Sequence, residues 1–257
     1  YDTHFYYGGD ANYSNMKSYL MGTGFQNVTH QFDFDKKLQT GKWGVADGPV
    51  YDRLLADIKA FDPKKRFMKM MMTGSSHEPF DVPDYHKMKQ PELNAFSYAD
   101  YHLGRFITEL KKLPQWKNTL VVIVPDHLGC WPQKIDNYKL WRYEIPLVML
   151  GGMFSEPRDV ETIGGQIDIP ATVLAMLGMQ HDEFLYSKDL LDAEAPHFAF
   201  FTFPDAMGLI DSTGYVIFDN TQKTVAASSK DKAVDDRTKK AKAYLQKLYD
   251  DLGERNK

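Results

Sequence analysis

Three short stretches carry residue types that do chemistry. Asp126 and His127 end a burst of β-branched residues in TLVVIVPDHLGCW. Gly8, Gly9 and Asp10 end THFYYGGD, and Thr73 to His77 end FMKMMMTGSSH. An aspartate beside a histidine suits a divalent cation of the zinc or manganese kind. The carboxylate supplies charge, and the neutral imidazole supplies a borderline-soft nitrogen. Neighbours in a turn reach one ion, or two ions close together. His77 offers a further ligand, a contact for an anionic substrate oxygen, or a proton for a leaving group.

Plainer roles stand beside each of these. Asp126 can cap a turn with His127 bonded to it, and His77 can be an ordinary loop residue before Glu78 and Pro79. GGD is most simply a turn, because no Lys or Ser/Thr follows it in phosphate-loop fashion. Cys130 is the only cysteine. An intrachain disulfide and a multi-cysteine zinc site are therefore excluded, and Cys130 is either a nucleophile beside the Asp-His pair or a small half-buried residue. His102 lies mid-helix and reads as structural. His30, His86, His181 and His197 read as surface or packing residues. The aromatic stretches FSY, DYH and NYKLWRY either fill the core or border a cleft for a sugar or glycerol head group.

The elements that must position these residues alternate. THFYYGG, RFMKMMMTG, NTLVVIV, YEIPLVMLGG and HFAFFTF read as strands, several of them apolar on both faces. NYSNMKSYLMGTG reads as a helix with Asn12 or Ser14 as its cap, and DGPVYDRLLADIKAF and PELNAFSYADYHLGRFITELKKL have helical apolar spacing. DIPATVLAMLG is a compact helix with Asp168 as cap, Pro170 in the first turn and Gly178 closing it. GLIDSTGYVIFD has the pattern of a hairpin turning at Ser212 to Gly214, and an amphipathic helix begins near Ala241. SSKDKAVDDRTKKAK is the best candidate for a mobile connection.

This alternation predicts an α/β fold with a largely parallel, mixed sheet covered by helices on both faces. The expectation is one domain over 1–257, with a core at 1–205 and a hairpin and helix added at 206–257. In such sheets ligands bind outside the carboxyl ends of the strands, where all three chemical stretches fall. A strand beginning almost at residue 1 leads to the expectation that the sequence starts inside a domain.

The 257 residues are 43 % hydrophobic and 26 % charged, with a net charge of −4. That is ordinary soluble-globular composition. With acids and bases interspersed and no basic block, a nucleic-acid partner is disfavoured. The apolar runs are too short to span a bilayer.

VVIVPDHLG resembles the strand-then-Asp-His signature of the sulfatase and alkaline phosphatase superfamily. TGSSHEPF resembles the His-x-Pro-aromatic segment of its lipoteichoic acid synthase-like branch. RYEIPLVMLGG, GGQIDIPATVLAMLG and SKDLL follow in that branch's order and spacing, and FYYGGDANYSNMKSYLMGTGF and KWGVADGPVYDRLL match its preceding stretch. The likeness covers roughly residues 3–205.

The resemblance implies a membrane-anchored enzyme with an extracytoplasmic catalytic domain, facing the periplasm or the outer surface. Such enzymes transfer phosphoglycerol or a related phospho-alcohol from a lipid to a cell-envelope glycan or glycolipid. A divalent metal, manganese foremost with zinc, magnesium and calcium as alternatives, activates a threonine. Asp126 and His127 occupy metal-ligand positions, His77 that of a histidine on the substrate phosphate, and Asp10 falls near a head-group position. The Trp and Arg that follow that position in the synthase are replaced in this chain by YSNM. The nucleophile and a further carboxylate ligand are expected upstream of Tyr1, with the membrane helices. The chain from Tyr1 onward is then expected to carry half a metal site and to be inactive alone. Two other readings remain open: a sulfuric ester hydrolase, and a non-catalytic glycan- or lipid-binding domain on the same fold.

Overall fold

The computed structural model describes residues 1–129, 131 and 133–256. The chain forms two compact units, Tyr1–Val121 with Leu150–Ser155, and Val122–Met149 with Glu156–Lys257. In chain order the elements are β1 (Asp2–Tyr7), α1 (Met16–Gly22), β2 (Asn27–Thr29), α2 (Asp47–Ala60), β3 (Phe67–Met72), α3 (Pro91–Leu110), β4 (Leu120–Ile123), β5 (Val148–Gly151), α4 (Ile169–Met176), β6 (Phe198–Phe203), β7 (Ala206–Asp211), β8 (Gly214–Asp219), β9 (Thr224–Ser228) and α5 (Val234–Arg255). The expected α/β class is observed, with parallel and antiparallel sheets flanked by helices.

In the first unit β1 lies between β2 and β3, and both pairings are parallel. The apolar positions of α2 recur at three- and four-residue steps, so Val50, Leu54, Leu55 and Ile58 share a buried face. Phe106 and Leu110 of α3 and Tyr6 of β1 complete this core. Each such side chain contributes roughly 1.5–3 kcal/mol by leaving water. β3 departs from the two-sided burial that its composition predicts: Met68 and Met70 are about half exposed. At the end of β1, a Cβ on Gly8 would run into the Val45 carbonyl oxygen. Only glycine lets the two backbones close the 2.8 Å bond from Val45 N–H to the Gly8 carbonyl. The helix expected over 12–24 splits into a short 3-10 turn, Tyr13–Asn15, and α1. Neither Asn12 nor Ser14 caps it, and Asn15 stands at the start of α1 in the left-handed region.

In the second unit β6 to β9 form an antiparallel sheet in sequential order. Met207, Leu209, Val216 and Phe218 present one face to Ala241 and Leu245 of α5. The charged stretch expected to be mobile is ordered, and α5 begins at Val234 rather than near Ala241. Arg237 explains this. It is fully buried and ion-paired to Asp211 and Asp231, each at 3.2 Å, with Thr213 Oγ1 accepting a further bond at 2.8 Å. A guanidinium so saturated is a fastening point. In α4, Gly178 takes a positive φ of 66° and Met179 N–H returns to the Leu174 carbonyl, the stop its sequence predicts. Asp168 makes no side-chain cap to α4. Its carboxylate instead closes the preceding turn by accepting from Gly165 N–H at 2.8 Å.

Candidate active site

In the first unit, β1 and β3 are neighbours in parallel register up to Tyr7 and Met72. The stretches carrying Asp10 and His77 therefore leave from the same, carboxyl edge of the sheet, where ligands of α/β folds bind. Asp10 has a local task there. Its Oδ1 accepts from both the backbone N–H and the side-chain amide of Asn12 at 2.9 Å, an Asx turn.

His77 is exposed and lies edge-on to Trp43, with ring centroids 5.1 Å apart. Its Nδ1 sits 2.9 Å from the Glu78 carbonyl oxygen. A carbonyl only accepts, so Nδ1 donates and Nε2 of the neutral ring carries the lone pair. The loop is held by Asp47, which no spacing pattern marks as a site residue. Asp47 is 2 % exposed. It accepts from Gly74 and Ser75 N–H at 2.8 and 3.2 Å, and its own N–H donates to Ser75 Oγ at 2.8 Å. Burial pushes its carboxyl above the usual aspartate range, against the pull of those bonds. His102 is half-buried beside Tyr98, with ring centroids 4.3 Å apart; burial and then Arg105 push its imidazole down, in keeping with a packing role.

In the second unit Pro125, which has no N–H to continue a ladder, leads the chain from β4 into Asp126 and His127. Asp126 Oδ1 accepts from His127 N–H at 2.8 Å. His127 Nδ1 lies 2.9 Å from the Leu128 carbonyl oxygen and must donate to it. The Nε2 lone pair is thereby left 3.5 Å from Asp126 Oδ2. Two donors that each lie about 2.1 Å from a single tetrahedral ion stand at about this separation. A histidine ligand whose other nitrogen donates to a backbone carbonyl is the arrangement metal sites use. The pair fits a divalent cation as two of its ligands. Among the described residues no group of three or more His, Cys, Asp or Glu side chains is placed to hold one.

A cleft of about 520 Å³ opens beside the pair. Tyr143, Phe200 and Tyr244 supply aromatic walls, and Asn137, Arg142 and Gln166 supply polar groups. Asn137, Arg142 and Tyr143 of NYKLWRY thus line a cleft. FSY and DYH contribute Tyr98 and His102 to a separate cavity of about 320 Å³ in the first unit. Cys130 lies outside the described residues. Arg142 and Gln166, which tie down the Asp-His loop, escape sequence reasoning. Both lie inside stretches that carry the resemblance, RYEIPLVMLGG and GGQIDIPATVLAMLG, but nothing within those stretches singles them out.

The sulfatase family model matches residues 1–179. The chain belongs to the sulfatase family. This sulfatase-family chain is 26 % identical over 211 residues to phosphoglycerol transferase I of Xanthomonas campestris pv. campestris, covering 76 % of this chain and 30 % of that protein. It thus spans about a third of the length of such curated relatives. Among solved structures it is similar to a protein of the alkaline phosphatase superfamily from Vibrio parahaemolyticus, at a TM-score of 0.80 and 25 % identity, covering 98 % of this chain and 66 % of that one. It also shares its fold with the lipoteichoic acid synthase LtaP from Listeria monocytogenes, at a TM-score of 0.75 and 20 % identity, over 98 % of this chain and 70 % of that one.

Proposed function

We propose that this sequence is part of a metal-dependent phosphoryl-transfer enzyme that moves phosphoglycerol from a lipid donor to a cell-envelope glycan or glycolipid. The observation that carries this reading is the Asp126–His127 geometry, a carboxylate oxygen and a bare imidazole nitrogen 3.5 Å apart with the ring's other nitrogen committed to backbone. The likeness to a phosphoglycerol transferase supports the choice of transferred group. A bound divalent cation, with manganese favoured, would supply charge stabilisation at phosphoryl oxygens and activate a hydroxyl.

The chain's own residues have distinct tasks. Asp126 and His127 hold the cation. His77 presents its ring to the substrate phosphate. Asp10 shapes the turn at the head-group end of β1. Tyr143, Phe200 and Tyr244 offer faces on which a sugar ring can lie, and Asn137 offers its amide to hydroxyls. No described helix is long and apolar enough to cross a membrane. The extracytoplasmic, membrane-bound location is part of the proposal and rests on the relatives.

The test is manganese-dependent release of phosphoglycerol from phosphatidylglycerol by the full-length protein. Asp126→Ala and His127→Ala should each lower it by at least about 100-fold, the loss of a metal ligand exceeding the 10–100-fold cost of its support. Unchanged turnover in both variants would refute the site. Cleavage of an aryl sulfate with no action on the lipid would favour sulfuric ester hydrolysis. Glycan or lipid binding without turnover and without metal would favour a binding domain.

A further inference from the structure

The exposed Asp-His loop is hung from side chains far away in the sequence. Gln166 Nε2 donates to two successive carbonyls, Pro125 at 2.7 Å and Asp126 at 3.0 Å. Arg142 Nη1 reaches the Leu128 and Ile135 carbonyls at 3.3 Å, and Leu128 N–H returns to the Arg142 carbonyl at 3.3 Å. Asp126 and His127 are themselves open to solvent, with side chains 86 % and 52 % exposed. Packing therefore does not set their orientation; these hydrogen bonds do.

Gln166 is in turn held from a buried base. It begins a 3-10 turn, Gln166–Asp168, preceded by Gly165. Asp168, 2 % exposed, accepts from Gly165 N–H and from the Lys188 ammonium at 2.7 Å. A rigid strut therefore runs from the buried Lys188–Asp168 pair through the turn and the Gln166 amide to the carbonyls flanking Asp126.

We propose that Gln166 is a positioning residue for the metal-binding pair: by gripping the Pro125 and Asp126 carbonyls it sets the peptide planes from which the Asp126 carboxylate and His127 ring project toward one ion. The inference rests on the metal reading above and adds to it a residue that touches neither metal nor substrate. The carboxamide nitrogen of Gln166 carries two N–H groups, one for each of the adjacent carbonyls. Losing such outer support weakens metal binding while the fold persists.

The test uses Gln166→Met, which keeps the length and removes the donors. Mn²⁺ affinity is read from paramagnetic broadening of the His127 ring protons, loop order from amide exchange at His127 and Leu128, and stability from the thermal midpoint. Q166M should bind Mn²⁺ about 10-fold more weakly and exchange those amides at least about 10-fold faster, with a midpoint within about 2 °C of the parent. Mn²⁺ affinity within twofold of the parent overturns the inference. So does weaker binding accompanied by a midpoint loss above about 5 °C, since Gln166 would then be a general structural residue. Asp126→Ala separates the two readings. If Mn²⁺ broadens the His127 signals no more in the parent than in D126A, the metal reading fails. Amide exchange in Q166M then decides alone whether Gln166 orders the loop, and unchanged exchange overturns it.

Discussion

Asp168 and Lys188 form an ion pair at the base of the turn that carries Gln166. Their side chains are 3 % and 13 % exposed, and the ammonium and carboxylate lie 2.7 Å apart. The carboxylate also takes the N–H groups of Gly165 and Lys188 at 2.8 and 3.0 Å, and the ammonium donates to the Phe198 carbonyl at 2.9 Å. Asp168→Asn keeps the shape and removes the charge. The largely buried Lys188 ammonium then loses its counter-charge, and one of the amide's hydrogens must face a donor. Breaking a buried pair from one side costs about 3–5 kcal/mol. With a urea slope of about 2 kcal/mol per molar, the midpoint should fall by about 2 M. Lys188→Met leaves a buried carboxylate that retains its two backbone donors, so its loss should be smaller. The double variant should lose less than the sum of the two, because it leaves no uncompensated charge. Equilibrium urea denaturation followed by far-ultraviolet circular dichroism measures all three. A loss under about 1 kcal/mol in D168N, or strict additivity in the double variant, would refute the assignment of this pair as the anchor of the turn.

Asp47→Asn should destabilise the protein by about 1–3 kcal/mol, because the amide cannot accept from both Gly74 and Ser75 N–H. It should also speed amide exchange across 74–77, and a variant with parental exchange there would contradict the role of Asp47 in holding the His77 loop. Burial, with Lys69 next, depresses the His4 imidazole, and burial with Arg105 depresses that of His102. Each therefore takes up a proton less readily folded than unfolded, where the ordinary value is 6.5. Stability from these groups is present above about pH 6.5 and is lost as the pH falls below it. Urea midpoints measured from about pH 7.5 to about pH 5.5 should decline, and His4→Gln with His102→Gln should flatten the decline. A midpoint that rises on acidification, or an unflattened slope, would contradict the assignment.

The local elements were legible because their causes are local. Aromatic runs mark β1 and β6, β-branching marks β4, and three-and-four spacing marks α2 and α3. The Gly178 stop is likewise a property of a few adjacent residues. The Asp-His pair is visible as two neighbouring residue types at a strand's end, and the ordered motifs around it point to the family. The charged segment at 228–242 is ordered against expectation because charge predicts solvation only when it is unpaired. One of the two partners of Arg237, Asp211, lies in the β7–β8 hairpin, 26 residues back, beyond the reach of any local pattern.

Residue types along one strand determined that this protein can bring a carboxylate and an imidazole to the end of a strand. Tertiary structure alone decided how they stand. The Leu128 carbonyl selects which imidazole nitrogen is bare. Gln166, 40 residues beyond Asp126, orients the loop. Asp47, 27 residues before Gly74, does the same for the stretch carrying His77. A hydrogen bond depends on distance and angle in space, and side chains so far apart in sequence acquire both only when the chain has folded.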